Sequence, residues 1–223
     1  MPIVAVIAEK GGSGKTTVAA NLAAELAARG ARALLVDADG QGSALTWAGI
    51  GAEAGHPGPR VLALGDNLRA VLPDLAAEHD WTIVDCPGRA SKRAAAALMV
   101  ADVAILPCFP SPPDVWALAT TTELVGQAST LRPELRAAIL VTRADRTGIG
   151  ASAREALATL GLPVLAATLG DRAAYREALA DGRGVTTYAP SSLAAREVRA
   201  LVDELEALAG VATTTKGRAK RRR

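Results

Sequence analysis

The segment near the amino terminus reads Glu9-Lys10-Gly11-Gly12-Ser13-Gly14-Lys15-Thr16-Thr17 and carries two lysines. Its glycines, its second lysine and the hydroxyl that follows are typical of a phosphate-binding loop. The apolar run of residues 3–8 precedes the segment, and a helical pattern begins at Val18. A strand, a glycine-rich loop and a helix in this order surround an anion with backbone N–H groups and with the positive end of the helix dipole. Residues 9–17 therefore predict a site for the phosphates of a nucleotide.

The residue types within this loop predict separate roles. Lys15 is expected to reach the β- and γ-phosphates, and the hydroxyl of Thr16 is expected to ligate Mg²⁺. The residues predicted to hold the nucleotide are Gly11, Gly12, Ser13, Gly14, Lys15, Thr16 and Thr17.

Lys10 is a cation that such a loop does not ordinarily need. It lies before the Gly11-Gly12 pair, where its side chain cannot easily fold back onto the same phosphates. A lone lysine in a loop is usually only solvated. At this position, however, a second cation is better placed to serve the nucleotide of a neighbouring molecule.

Three further segments follow the loop in order: Leu34–Ser43, Trp81–Gly88 and Leu106–Asp114. With the sequence Lys-Gly-Gly-x-Gly-Lys-Thr-Thr, they resemble the boxes of the ParA/MinD family of deviant Walker A ATPases, and particularly its small plasmid-partition (ParF-like) members. The resemblance covers roughly residues 2–208. One departure is Gly40, where the family usually has proline, and this makes the loop after Asp39 more flexible than usual.

The resemblance implies an α/β fold, in which a mostly parallel sheet lies between two helical layers in a single three-layer α/β/α P-loop NTPase domain of the SIMIBI type. The domain is expected to span residues 1–210 and to be followed by a basic, disordered tail at residues 211–223. The alternation of apolar runs with helical patterns independently predicts a covered parallel sheet. Gly49 to Arg60, rich in glycine and proline, is predicted to be a loop. The predicted strands are 3–8, 33–36, 82–84, 103–106, 138–141 and 164–165.

The same resemblance implies ATP and Mg²⁺ as cofactors and assigns roles at the site. Lys10, Lys15 and Asp39 are the expected catalytic residues, with Lys10 crossing to the partner's phosphates in a nucleotide-sandwich dimer. Asp39 is expected to orient the attacking water, and Thr16, Asp39 and Asp85 are the expected metal-site residues. Asp37 is expected to fix the loop that carries Asp39.

The base of the nucleotide is expected to lie near Pro107 and Arg143. The proline-rich segment 107–113 is similar to the adenine-facing wall of ParA relatives. Residues 141–145 resemble the guanine-binding box of GTPases only superficially, so ATP is favoured over GTP.

Charge is concentrated at the carboxyl terminus. The formal net charge is +2, but six positive residues lie within the last eight, which leaves −4 on the rest of the chain. Such a tail either solubilises the protein or binds DNA non-specifically through its phosphates. Arg172, Arg176, Arg183, Arg196 and Arg199 are expected to add a folded basic face, and which of the two surfaces dominates DNA binding is left open. The expected DNA-binding residues are Lys216, Arg218, Lys220, Arg221, Arg222 and Arg223.

Several other classes fit less well. A length of 223 residues suits one domain, and two separated cysteines indicate a reducing cytoplasm and not a disulfide scaffold. No signal peptide or membrane-spanning run is expected, and the tail lacks the bulky apolar residues of a MinD-like membrane helix. Cys86 is expected to pack in a strand, not to hold an iron–sulfur cluster. An ATP-dependent enzyme of the dethiobiotin synthetase type stays open, although it has no use for Lys10.

The function expected from the resemblance is a cytoplasmic, nucleoid-associated ATPase that positions a cargo. Its expected partners are a second copy of the chain upon ATP binding, non-specific DNA, and a ParB-like or cargo-adaptor protein that stimulates hydrolysis. The cargo (plasmid, chromosome, chemoreceptor cluster or microcompartment) is left open.

Overall fold

A central parallel sheet organises the chain. A computed structural model describes residues 1–88, 91–144 and 151–211, with the backbone alone at 151–154. The sheet has seven strands in the order β3-β2-β4-β1-β5-β6-β7, and every neighbouring pair is parallel. The strands are β1 Ile3–Val6, β2 Ala33–Asp37, β3 Arg60–Ala63, β4 Trp81–Asp85, β5 Val103–Cys108, β6 Arg136–Ala144 and β7 Val164–Gly170.

Helices cover both faces of this sheet, which confirms the predicted three-layer α/β/α architecture. One apolar core joins the sheet to α1, α2, α7, α8 and α9, and the other joins it to α3, α4, α5 and α6. The helices are α1 Lys15–Ala28, α2 Ser43–Glu53, α3 Leu68–Ala77, α4 Lys92–Leu98, α5 Pro112–Leu131, α6 Ala151–Ala158, α7 Ala173–Ala180, α8 Val185–Tyr188 and α9 Leu193–Leu208.

The central strands β1, β2, β4 and β5 are nearly continuous apolar runs because both of their faces are buried. In β1, Val4 and Val6 belong to one core, whereas Ile3 and Ala5 belong to the other. This division follows from the period-two alternation of side chains along a strand.

Among the described residues, no helix is long and apolar enough to cross a membrane.

The register of the central strands brings polar side chains together at one edge. Asp85 ends β4 opposite Val6 of β1 and opposite Asp37, which ends β2. The phosphate-binding loop leaves β1 at the same edge, because parallel strands place all their carboxyl ends together. This edge is where open α/β sheets bind their ligands.

The predicted loop from Gly49 to Arg60 is wrong in its first part, since α2 continues to Glu53 and Arg60 already begins β3. The glycines suggest a loop, but Gly51 has a packing role within the helix. A Cβ at Gly51 would lie 2.4 Å from the carbonyl oxygen of Gly182. Close approach of two backbones therefore explains a glycine that local propensity would assign to a turn.

Candidate nucleotide-binding site

The phosphate-binding loop has the backbone of an anion site. Gly12 and Gly14 adopt positive φ angles of 80° and 92°, a region that favours glycine. Gly14 is the N-cap of α1 and provides no side-chain cap, and the first turn of the helix contains no acidic residue. The positive end of α1 is therefore open to an external anion.

Lys15 lies inside the loop and not on the surface. It is buried, and its Nζ lies 3.5 Å from the carbonyl oxygen of Lys10. A Cβ at Gly88 would be 3.4 Å from the same Nζ, so the glycine after β4 leaves room for this ammonium group. Lys15 is thus held between the loop and the end of β4, where a phosphate bound by the loop would meet it.

Thr16 and Asp85, both predicted metal-site residues, are in direct contact. The Thr16 hydroxyl donates a 2.6 Å hydrogen bond to Oδ2 of Asp85. Oδ1 of Asp85 and Oγ of Ser13 are buried and have no hydrogen-bond partner among the described residues. A hydrated Mg²⁺ beside a phosphate would supply partners for both, since Mg²⁺ keeps several waters and binds through few protein groups. The residues present therefore fit Mg²⁺.

Burial dominates the electrostatics of Asp85. Desolvation, together with the nearby charges of Asp37 and Asp39, raises the pKa of its carboxyl to about 7, against the opposing effects of the Thr16 hydrogen bond and of Lys15. Without metal, the carboxyl therefore holds a proton near neutral pH. A divalent cation would have to displace that proton.

The pKa of Asp85 gives a prediction for metal-free protein. The ordinary carboxyl pKa is 3.8, so between pH 4 and 7 the folded state holds a proton that the unfolded chain has lost. The stability contribution of this group therefore falls as pH rises and is lost above about pH 7. Asp85→Asn removes the ionisable group, so the variant should exceed wild type in free energy of unfolding by up to about 4 kcal/mol at pH 8, at about 1.4 kcal/mol per pKa unit.

Chemical denaturation in EDTA at pH 4.5 and pH 8 measures this difference. The gap between the two proteins should be small at the lower pH and widen as the pH rises. A gap that is the same at both values would contradict the assignment.

Asp37 fixes the loop that carries Asp39, as expected. Its carboxylate accepts hydrogen bonds from the backbone amides of Asp39, Ala44 and Leu45, at 3.1, 2.9 and 3.1 Å. These bonds tie the loop to the start of α2. Asp39 itself is only partly buried, and its Oδ1 accepts from the amide of Gln41 at 3.2 Å. The described contacts thus leave the Asp39 carboxylate near the phosphate edge without an ion pair.

Arg93 links this loop to α4, a contact that the sequence did not reveal. Its guanidinium donates to the carbonyl oxygen of Ala38 at 3.4 Å and to Asp66 at 2.6 Å. A Cβ at Gly40 would lie 3.9 Å from the same guanidinium. The loop at Gly40 therefore lies against a side chain from the segment that follows β4.

Lys10, the unusual lysine, forms an ion pair with Asp114 in the first turn of α5. Its Nζ lies 2.9 Å from Oδ1 of Asp114, with the lysine side chain 49% exposed and the aspartate 10% exposed. Asp114 also accepts a hydrogen bond from the Ser111 hydroxyl. An ion pair with one exposed partner is weak and readily exchanged. Lys10 is therefore held at the surface by a contact with α5.

A cavity opens beside the loop, between the ends of β6 and β7 and the start of α7. It is lined in part by Gly14, Thr17, Thr142 and Arg143. The Thr142 hydroxyl donates to the carbonyl oxygen of Ser13 at 3.0 Å, which joins β6 to the loop. Arg143, a predicted nucleotide contact, has a positive φ of 51°, uncommon for a residue with a side chain.

Pro107, predicted to face the base, does not line this cavity. It is buried within β5, opposite Leu140 of β6. A proline is tolerated there because β5 runs past the end of β1, whose last pairing with β5 is at Val6. The structure thus brings Arg143, but not Pro107, to the cavity beside the phosphate loop.

The predicted folded basic face is largely neutralised. Arg172, Arg176 and Arg183 pair with Glu197, Asp171 and Asp181, respectively. Arg196 is exposed on α9, and Arg199 donates to the carbonyl oxygen of Pro190. The six predicted DNA-binding residues of the tail, with residues 212–223 as a whole, lie outside the described residues, as do Arg89 and Asp145.

Both cysteines are buried and carry no disulfide. Burial raises the pKa of the Cys108 thiol to about 12 and raises that of Cys86 as well. A cluster ligand must be a thiolate, and burial in apolar surroundings disfavours that form. This environment supports packing roles for both cysteines, as predicted for Cys86.

The sequence matches the family described as CobQ/CobB/MinD/ParA nucleotide binding domain over residues 4–185. The Maintenance of carboxysome distribution protein A of Halothiobacillus neapolitanus is 33% identical over 210 residues, which covers 91% of this chain and 95% of that protein. The chromosome-partitioning ATPase Soj of Thermus thermophilus is 32% identical, with coverage of 92% and 95%. The structure of the septum site-determining protein MinD with Mg-ADP from Pyrococcus horikoshii has the same fold, with a TM-score of 0.76 at 23% identity and coverage of 94% and 97%.

Proposed function

The chain belongs to the CobQ/CobB/MinD/ParA family of nucleotide-binding domains, and from that premise we propose that it hydrolyses ATP only as a dimer on DNA and thereby positions a cargo. ATP and Mg²⁺ are the cofactors in this proposal. The base lies in the cavity beside the phosphate loop, and the phosphates lie against the start of α1.

The different environments of Lys15 and Lys10 are the observation that supports the proposal. Lys15 is buried against the end of β4, whereas Lys10 is half exposed and pairs with Asp114. A cation that reaches out from the nucleotide site can stabilise the phosphates of a second subunit, as an arginine finger does in trans. Hydrolysis would then depend on dimerisation.

The remaining residues perform the steps that phosphoryl transfer requires. Lys15 and the loop amides bind the phosphates, and Thr16 and Asp85 would hold Mg²⁺, which would supply positive charge to stabilise the transferred phosphoryl group. Asp39 orients the attacking water from a loop that Asp37 fixes. Positioning and electrostatics, not covalent chemistry, supply the catalysis.

In this proposal, a partner protein recognises the cargo. The Halothiobacillus relative is named for carboxysome distribution and the Thermus relative for chromosome partitioning, at nearly equal identity. A variant that cannot hydrolyse ATP, Asp39→Ala, would hold the ATP-bound dimer and its partner together. Affinity purification of this variant, compared with Lys15→Ala as the nucleotide-free control, identifies the partner. A partner protein retained only by Asp39→Ala supports the proposal.

The tail supplies the DNA contact in this proposal. Val211, where the described chain ends, lies with Met1, Asp102 and Arg136 at the edge of the sheet where β1, β5 and β6 begin. The tail is therefore attached at the edge opposite the phosphate loop. Its six cations can bind DNA without blocking the nucleotide.

Deletion of residues 212–223 is expected to weaken DNA binding while leaving ATP affinity unchanged. The slope of log Kd against the logarithm of the salt concentration should decrease by up to about 5, because each lost phosphate contact removes about 0.9 from that slope. Fluorescence anisotropy with a short duplex, from low to moderate salt, measures the change. An unchanged affinity at low salt would show that the tail plays no part.

A further inference from the structure

Glu197 on α9 accepts hydrogen bonds from several groups in the wall of the cavity beside the phosphate loop. Its Oε1 accepts from Nε of Arg172 at 2.9 Å, and its Oε2 accepts from the amide of Gly170 at 3.1 Å and from the hydroxyl of Tyr175 at 3.0 Å. Gly170, Arg172 and Tyr175 line the cavity. Glu197 therefore fixes one wall of the cavity from behind.

The guanidinium of Arg172 lies flat against Gly170. A Cβ at Gly170 would be 2.9 to 3.0 Å from the Nη2, Cζ and Nε atoms of Arg172. Because the three distances are nearly equal, the Cβ position of Gly170 lies over the face of the guanidinium plane and not at its edge. The missing side chain of Gly170 thus allows the close approach, and the hydrogen bonds to Glu197 set the rotation of the plane.

A planar cation held in one orientation is suited to an aromatic ring. Guanidinium groups stack on aromatic faces and are weakly hydrated, so they lose little when a ring covers them. The Arg172 side chain is 33% exposed, which leaves surface for such a contact. Arg172 is also paired with Glu197, so a neutral base can approach it without leaving a buried charge uncompensated.

We propose that Arg172 contacts the base of the bound nucleotide and that Glu197 is the positioning residue that holds it there. This inference rests on the proposed placement of the base in the cavity. It reassigns Arg172, expected from sequence to belong to a basic DNA-binding face, to nucleotide recognition. Glu197 acts through Arg172 and does not itself touch the nucleotide.

Glu197→Gln tests the inference by comparing two ligands. Titration calorimetry with Mg-ADP should give a Kd raised by about tenfold, because an amide no longer orients the guanidinium by charge. Inorganic tripolyphosphate with Mg²⁺ lacks a base and should bind as tightly to the variant as to wild type. Arg172→Ala should weaken Mg-ADP similarly, and combining it with Glu197→Gln should weaken it no further, since the two residues act as one unit.

Glu204→Gln is the matched control. Glu204 lies on the same helix and accepts from two backbone amides of the same strand, those of Ala166 at 3.0 Å and Ala167 at 2.8 Å. These residues do not line the cavity. Glu204→Gln should therefore leave the Mg-ADP affinity unchanged even where it lowers the thermal midpoint.

Two results with Mg-ADP would overturn the inference while leaving the proposed function intact: wild-type affinity in Glu197→Gln, or an equal loss of affinity in the Glu197 and Glu204 variants. An equal loss of tripolyphosphate binding in Glu197→Gln would also overturn it, since the effect would then not concern the base. Failure of the wild-type protein to bind either ligand would instead overturn the proposed function itself.

Discussion

Lys10→Ala is expected to bind ATP within about threefold of wild-type affinity, because the only contact it loses within the described chain is a half-exposed ion pair of small value. The same variant should stay monomeric when ATP is added, and its ATP turnover should fall by at least about 100-fold. A cation supplied in trans is worth that much or more to phosphoryl transfer. Light scattering with and without ATP, together with a phosphate-release assay, measures both effects.

Asp114→Asn separates the two contacts of Lys10. This variant removes the carboxylate that pairs with Lys10 in the same chain but leaves the lysine charge in place. It should dimerise with ATP at least as well as wild type, since Lys10 is then released. If Asp114→Asn lost dimerisation as fully as Lys10→Ala, the effect would arise from the intramolecular ion pair and not from a contact across subunits.

Asp39→Ala is expected to abolish ATP hydrolysis, with a loss on the order of 100-fold or more, because positioned bases contribute about 10²- to 10⁴-fold. Its ATP-bound dimer should persist, so that the variant accumulates in the dimeric state. Within the part of the chain that the structure describes, the carboxylate of Asp39 makes one weak local hydrogen bond, to the amide of Gln41. The thermal midpoint should therefore stay close to that of wild type.

Asp37→Ala gives the contrast. Asp37 accepts three backbone hydrogen bonds and is buried, so its removal leaves amides of the loop and of α2 without a partner. That variant should lose thermal stability as well as activity. A stable, fully active Asp39→Ala protein would remove Asp39 from the mechanism.

The sequence predicted the parts of the site that depend on local pattern and strand register. The phosphate loop follows from glycines at positions that adopt positive φ, and the meeting of Thr16 with Asp85 follows from parallel strands that end together. The buried strands are visible as apolar runs because both of their faces are covered. These features lie within short segments whose chemistry is explicit.

The parts that were missed depend on contacts between distant segments. Asp114 forms an ion pair with Lys10, and Glu197 forms one with Arg172, but no local pattern in the sequence predicts either pair. The helical state of Gly51 depends on the approach of Gly182, which overrides the loop propensity of glycine. Pro107 was predicted from the resemblance to face the base and stays a prediction; the structure places it buried in β5, opposite Leu140.

The most direct test of a lysine that acts across subunits is a mixture of two inactive variants. In a heterodimer of Lys10→Ala with Asp39→Ala, the site of the Lys10→Ala subunit keeps its own Asp39 and receives Lys10 from its partner. One of the two sites is then complete, so each heterodimer should recover about half of the wild-type turnover of a dimer. If light scattering showed heterodimers in the mixture but ATP turnover equalled the sum of the two separate variants, Lys10 would act within its own subunit, and hydrolysis would not depend on a lysine supplied by the partner.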